Sequence, residues 1–161
     1  MNRAARRAEK YSKRRIDPTA GLAVLEKANW AAHVLPQHKV DEVQLLALAN
    51  LDAIVNGKGA AEHIGAISLA CNMTGALIRQ GIGEEATEIV ERCQEALMSA
   101  DARFTQRKRW GFTGAEMQHV RDLLDVHERI VSNASQLEIR RALADIDDRV
   151  RRGEVLQRIA A

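Results

Sequence analysis

The sequence predicts an all-α fold: a single-domain bundle of about six helices with a basic N-terminal arm. Three observations predict it. No segment alternates apolar and polar residues with period two over a useful length, so no half-buried strand is written into the chain. Apolar residues instead recur at three- and four-residue spacing in successive segments, punctuated by glycine, proline and asparagine. Finally, "IGAISLACNMTGALI", Ile64 to Ile78, carries no charge in a chain of which 29% of the residues are charged. A membrane span needs about 20 apolar residues, and this stretch is too short and holds too many small polar residues. It is expected at the centre of a core.

The chain has 161 residues, which suits one domain. A helical domain of this size buries roughly two-thirds of its unfolded surface, so neither a disulfide nor a metal is needed to hold it together. The nominal charge of +2 conceals an asymmetry. Residues 1–15 carry Arg3, Arg6, Arg7, Lys10, Lys13, Arg14 and Arg15 against Glu9 alone, leaving 17 basic and 21 acidic residues beyond them. The body is therefore mildly acidic, and the basic residues mark an arm, residues 1–17, set before a bundle domain at 18–161. The arm favours helix by composition but has almost no apolar face, so alone it should fray.

The elements follow in order. Asp17-Pro18 reads as an N-cap followed by a first-turn proline. The helix it opens, to about Leu35, buries Val24, Leu25, Ala28, Ala31, Ala32 and Leu35, and Pro36 ends it. A second helix, about Val40 to Asn56, sets Val40, Val43, Ala47, Leu51 and Ile54 on one stripe, widened by Leu48 and Val55. Asn56-Gly57 is its stop. The third, about Ala60 to Gln80, contains the uncharged stretch. Ala61, Gly65, Ser68, Asn72 and Gly75 form a groove of small residues on it, against which a partner backbone is expected to lie close. Gly81-Ile82-Gly83 breaks it. These second and third helices are expected to form the centre.

The fourth, about Glu84 to Arg107, repeats Ala86, Val90, Cys93, Leu97, Ala100 and Phe104 as a heptad seam. That seam packs either inside the bundle or against a second copy of the chain. Glutamates (Glu84, Glu88, Glu91, Glu95) line the outer face, and Arg103, Arg107, Lys108 and Arg109 lie at the far end, an order that complements the helix dipole. Thr113 with Glu116 and Ser135 with Glu138 have capping-box spacing. They open a fifth helix, to about Ser132 (Met117, Val120, Leu124, His127, Val131), and a sixth, to about Arg152 (Ile139, Leu143, Ile146, Val150).

Several segments carry a resemblance: "LANLDAIVNGKG", "LACNMTGALIRQGIG", "RWGFTGAEM", "LLDVHERIV" and a closing "RRGEV", with the basic opening "MNRAARRAEK". From about Leu46 to Val155 the chain resembles a family of small all-helical hypothetical proteins encoded by phages and prophages of proteobacteria. The resemblance implies a gene expressed inside an infected bacterium. The family has no established activity, so no catalytic residue is carried over.

Templates for chemistry fail in turn. There is no His-Glu-x-x-His and no Cys-x-x-Cys, and His119 with Asp122 supplies two ligands where catalytic zinc needs three, so no metal and no cofactor are expected. Cys71 and Cys93 fall on apolar stripes, where a free thiol behaves as a small hydrophobe. "NGKGAAEHIG" lacks the phosphate-loop spacing and joins two helices, so it reads as a tight turn. A non-enzymatic protein is expected. Nor does an apolar run follow the basic N-terminus as a signal peptide requires, so a cytoplasmic protein of the bacterial host cell, with no membrane segment, is expected.

Asn72 and His127, polar residues on apolar helices, are expected either to share one buried polar network or to floor a small-ligand pocket. Trp30, Arg107, Lys108, Arg109 and Trp110 are the candidate contact surface. The leading function is binding to a host protein, as a modulator of metabolism or defence, with a homo-oligomer as a further partner. The alternative is a nucleic-acid-binding accessory protein. Its arm, with Arg3, Arg6, Arg7, Lys10, Lys13, Arg14 and Arg15, would contact phosphates, and Trp110 would offer a ring for stacking. Sequestering of a small ligand is the third reading.

Overall fold

A computed structural model of the chain describes residues 30–154. Two compact units divide the chain, residues 1–33 and 34–161. Of the first, residues 30–33 are described: helix runs from Trp30 to Ala32, and the His33 N–H donates to the Trp30 carbonyl at 3.2 Å. Most of the helix predicted before Pro36, and the boundary expected at residue 17, lie outside the described residues. So do Arg3, Arg6, Arg7, Lys10, Lys13, Arg14 and Arg15.

The second unit is all-α. Its helices are α1 (Gln37–Val55), α2 (Ala61–Ile78), α3 (Thr87–Arg107), α4 (Gly114–Asn133) and α5 (Gln136–Arg151), with a 3-10 turn at Glu84–Ala86 before α3. No strand occurs among the described residues; a single bridge pairs Val34 with Ser135. No helix among them is long and apolar enough to cross a membrane.

The ends of these helices follow from their local sequence. Gly57, Gly81 and Gly153 each take a left-handed conformation just past a helix. After each of them the next residue's N–H reaches back five positions: Lys58 to Ala53, Ile82 to Leu77, Glu154 to Arg149. This is the Schellman arrangement, which satisfies the last free carbonyls and which glycine adopts without a Cβ penalty. Both predicted capping boxes form. Thr113 and Ser135 accept from the backbone N–H of Glu116 and Glu138, whose carboxylates accept from the Thr113 and Ser135 backbone N–H at 2.7 Å.

α2 is the centre, packing against α1, α3, α4 and α5. Around it lie two apolar clusters. One joins Leu51, Ile54, Ile64, Ile67, Cys71, Leu97, Leu123 and Leu124; the other joins Met73, Leu77, Val126, Ile130 and Ile146. The heptad seam on α3 packs inside this bundle: Val90, Cys93, Leu97 and Ala100 are buried. On α5 the buried positions are Ala142 and Ile146, while Leu143 is exposed.

Two expectations need correction. α1 is peripheral, because its main packing is on α2 and α4, whereas α2 packs on four helices. Its core stripe is Val40, Gln44, Ala47, Leu51 and Ile54, and Val43, Leu48 and Val55 are exposed instead of widening it. The small-residue groove on α2 does not bring a backbone close at Gly65, where a Cβ would meet nothing within 4 Å. At Gly75 the nearest atoms, on Arg79 and Val90, stand at ordinary van der Waals distance. Gly65 therefore carries the entropic cost of a mid-helix glycine with no packing gain. Gly65→Ala is expected to stabilise the protein by about 0.5–1 kcal/mol, read as a higher urea midpoint at unchanged slope. A lower midpoint would mean that something does pack there.

Candidate functional site

The cationic end of α3 and the segment after it build an open cleft. α3 has no glycine at its end, so Lys108 itself takes the left-handed conformation, at φ 52°. That turn folds the chain back along α3. Trp110 then stacks on Phe104, with ring centroids 4.2 Å apart and planes 7° from parallel. The approach of Trp110 also relies on Gly59: a Cβ there would stand 3.1 Å from Trp110 Cβ and 3.3 Å from Ile54 Cγ1.

Arg103 fixes the rest. Its guanidinium donates to both carboxylate oxygens of Glu116 and, at 3.0 Å, to the Gly111 carbonyl. One side chain thus ties α3 to the following loop and to the first turn of α4. Bidentate geometry of this kind is the strong form of an ion pair. Burial pushes the Glu116 carboxyl up. Hydrogen bonds from Arg103 and Thr113, with the Arg103 charge, outweigh that and leave it below the usual carboxylate range.

The result is a cleft of about 460 Å³ between α1, α3 and the 108–113 segment. Ile54, Val55, Trp110, Phe112 and Met117 give it apolar walls, and Arg103, Arg107 and Arg109 give it cations. Arg103 is already committed to Glu116. Arg107 and Arg109 are exposed and form no ion pair among the described residues. Arg109 reaches the turn that ends α1, since a Cβ on Gly57 would lie 2.6 Å from its Nη2. A helix C-terminus favours a cation, which accounts for its placement there.

The structure thus brings Arg107, Arg109 and Trp110 to one place and corrects the expected role of Trp110. It is 5% exposed and its face is occupied by Phe104, so it forms a wall and offers no stacking ring. Lys108 lies with Nζ 5.9 Å from the Phe104 centroid. Trp30 is exposed, in the other unit.

Asn72 and His127 do not form one network. Two positions along α2 from Asn72, the side chain points to nearly the opposite face, and it is Thr74 that meets His127. Their contact, Oγ1 to Nδ1, is 3.0 Å. The single hydroxyl hydrogen of Thr74 goes to the Ala70 carbonyl at 2.9 Å. The hydroxyl oxygen therefore accepts and the imidazole donates from Nδ1. Burial holds the His127 pKa down to about 4. Asn72 lines a separate depression with Arg79, Gln94, Met98 and Arg149. The cations there are engaged, Arg79 with Asp145 and Arg149 with Glu154.

Both thiols are buried and free. Cys71 donates to the Val90 carbonyl at 3.8 Å, and the Cys71 contact, with burial, pushes the Cys93 thiol up so that it stays protonated. No three His, Cys, Asp or Glu side chains gather as a metal site among the described residues.

What sequence reasoning missed is the outer face of α1. Leu45 is 70% exposed and Leu46 64%, and Val43, Leu48 and Val55 are exposed beside them, as is Leu69 on α2. The run "VQLLALANLDAIV" contains one charge, Asp52, and that scarcity read as centrality. Comparison with protein-family models, with curated proteins and with solved structures gives no match, so the resemblance to phage-encoded proteins is carried by the quoted segments alone.

Proposed function

We propose that the chain is a non-enzymatic binding protein that works through protein–protein contacts. On the resemblance of its sequence segments, its target is a component of a bacterial host cell. The observation that carries this reading is the exposure of large apolar side chains along α1, with Leu45, Leu48 and Val55 on one flank of its core stripe and Val43 and Leu46 on the other. Scattered single exposed leucines are ordinary, whereas large exposed apolar patches mark interaction sites. Covering such a patch is favourable by roughly 25 cal/mol per Å². Among the described residues, His127 is committed to Thr74, the thiols to the core and Arg103 to Glu116, which fits a binding role.

The double substitution Leu45→Glu/Leu46→Glu tests it. Both side chains already face solvent, so stability should change by no more than about 0.5 kcal/mol per site. The wild type is expected to hold a stoichiometric partner on affinity purification from bacterial cells, and the variant to lose it. Self-association of the wild type in sedimentation, lost in the variant, would make that partner a second copy. A wild type that is monomeric at about 100 μM and retains the same proteins as the variant would refute the reading. The concentration is chosen because transient interfaces have micromolar dissociation constants.

A further inference from the structure

We infer that the Arg107–Arg109 cleft is the charge-reading end of this binding surface. It takes a side-chain carboxylate from a partner segment whose apolar residues lie along Leu45, Leu48 and Val55 of α1. The inference rests on the protein-binding reading above and names the chemistry of the partner, an acidic amphipathic peptide segment.

Three observations converge on it. The first is continuity. Leu45, Leu48 and Val55 fall on one flank of α1 at helical spacing, a ridge about 15 Å long at 1.5 Å per residue. Val55, its last member, also lines the cleft. The apolar ridge and the arginines thus form one surface.

The second is charge. Arg103 is spent on Glu116, but Arg107 and Arg109 have no carboxylate among the described residues and flank apolar walls. A guanidinium beside low-dielectric walls, with no carboxylate partner among the described residues, attracts an anion more strongly than one in open water. Its planar fork matches a carboxylate. Asp41 and Asp52 stand on the same flank of α1 and, among the described residues, accept only from the neutral Gln37 and Asn56 amides, so the partner's carboxylate is read at the arginine end of the ridge.

The third is rigidity. The Arg103–Glu116 pair, the Gly111 carbonyl contact and the Trp110–Phe104 stack hold the cleft wall in place. A preformed wall lowers the ordering cost of binding. The stack also favours a peptide over a single-stranded nucleic acid. Strand-binding surfaces stack bases on aromatic faces, and the Trp110 face is occupied.

The test uses the full chain and two blocked, fluorescein-labelled 14-residue peptides. One has leucines at i, i+3, i+7 and i+10 with glutamates between; the other has lysine for each glutamate. A dT12 oligonucleotide serves as competitor. Fluorescence anisotropy is expected to show saturable binding of the glutamate peptide and none of the lysine peptide. Arg107→Ala/Arg109→Ala should weaken binding at least about tenfold, the scale of one charge-assisted hydrogen bond. Arg107→Lys/Arg109→Lys should fall between. Both arginines are exposed, so the variants should unfold close to the wild-type urea midpoint, with only the small loss of the Arg109 charge at the α1 C-terminus.

Equal binding by the arginine variant, or by the lysine peptide, would overturn the assignment of the cleft. So would no binding of the glutamate peptide at millimolar concentration. Displacement of the peptide by dT12 at lower concentration than by unlabelled peptide would overturn it in favour of nucleic acid. These failures are separable from failure of the wider reading, which is judged by Leu45→Glu/Leu46→Glu. If that variant loses its cellular partner while the arginine variant keeps it, the apolar surface stands and the charge-reading role falls.

Discussion

Replacing Leu77 by alanine is expected to destabilise the protein by about 2–5 kcal/mol, the range for a fully buried leucine whose site only partly collapses. Leu77 has no exposed surface and packs with Met73, Ala76, Val126, Ile130, Ala142 and Ile146, between the central helix and its neighbours. Its carbonyl also accepts the Ile82 N–H at 3.1 Å, so the cavity would open beneath the turn that ends α2. Against a total stability of about 5–15 kcal/mol, one such cavity removes a large share. Thermal unfolding followed by circular dichroism should show a midpoint lower by about 10 °C. Leu45→Ala, on the outer face of α1, is the matched control and should shift stability by no more than about 0.5 kcal/mol. Similar effects of the two substitutions would contradict the central position of α2.

The second large effect is on pH dependence, through His127. The residue is 3% exposed, and burial holds its pKa down to about 4. In the unfolded chain a histidine titrates near 6.5. Between these values the unfolded state binds more protons than the folded state, so folding stability must fall as pH falls. The contribution is fully present above about pH 6.5, declines through the window, and is lost by about pH 4. One proton over that window amounts to roughly 3 kcal/mol, at 1.36 kcal/mol per pH unit.

Urea unfolding from pH 7 to pH 5 should show this decline in the wild type and a much flatter profile in His127→Phe. The phenyl ring leaves no unpaired group behind, because the Thr74 hydroxyl keeps its bond to the Ala70 carbonyl. Below about pH 4.5 both proteins should lose stability together. There the carboxylates of Glu116 and Glu138 protonate; their pKa values are lowered by hydrogen bonds made only in the fold. Thr74→Val makes the complementary change: it strands the Nδ1–H in the core and should cost about 1–3 kcal/mol at neutral pH. Equal stability of the wild type at pH 7 and pH 5 would show that His127 is more hydrated than its burial implies.

Local chemistry was legible wherever the deciding partner lay within a few residues. Thr113 and Glu116, Ser135 and Glu138, and the glycines at 57, 81 and 153 announced helix ends because caps and Schellman turns close over three to five residues. The heptad seam of α3 was legible too. Its apolar positions recur without interruption, and one face of a helix needs only periodicity to be specified.

The burial of α1 was misread for a physical reason. A helix with few charges satisfies the pattern of a core helix and of a surface helix awaiting a partner equally well, and periodicity alone cannot separate them. The same limit applied to Trp110. Its neighbours Arg107, Lys108 and Arg109 mark a cationic turn in the sequence, yet whether the indole faces water depends on the left-handed turn at Lys108 and on Gly59 across the bundle. Asn72 and His127 were correctly seen as polar residues on apolar helices. Which residue of α2 meets His127 depends on the rotation of that helix against α4. A change of two residues along a helix turns the side chain through about 200°.

By itself, then, the sequence determined the all-α class, the extent of each described helix to within a few residues, the glycine and capping-box boundaries, and the centrality of the uncharged segment at 64–78. These rest on periodicity and on hydrogen bonds that close locally. Only the tertiary structure decided that α1 turns an apolar face outward, that Arg107 and Arg109 share a cleft with Val55, and that His127 is paired with Thr74. Each of these joins residues far apart in the chain, and their relative placement is set by how helices rotate and cross to fill a common core.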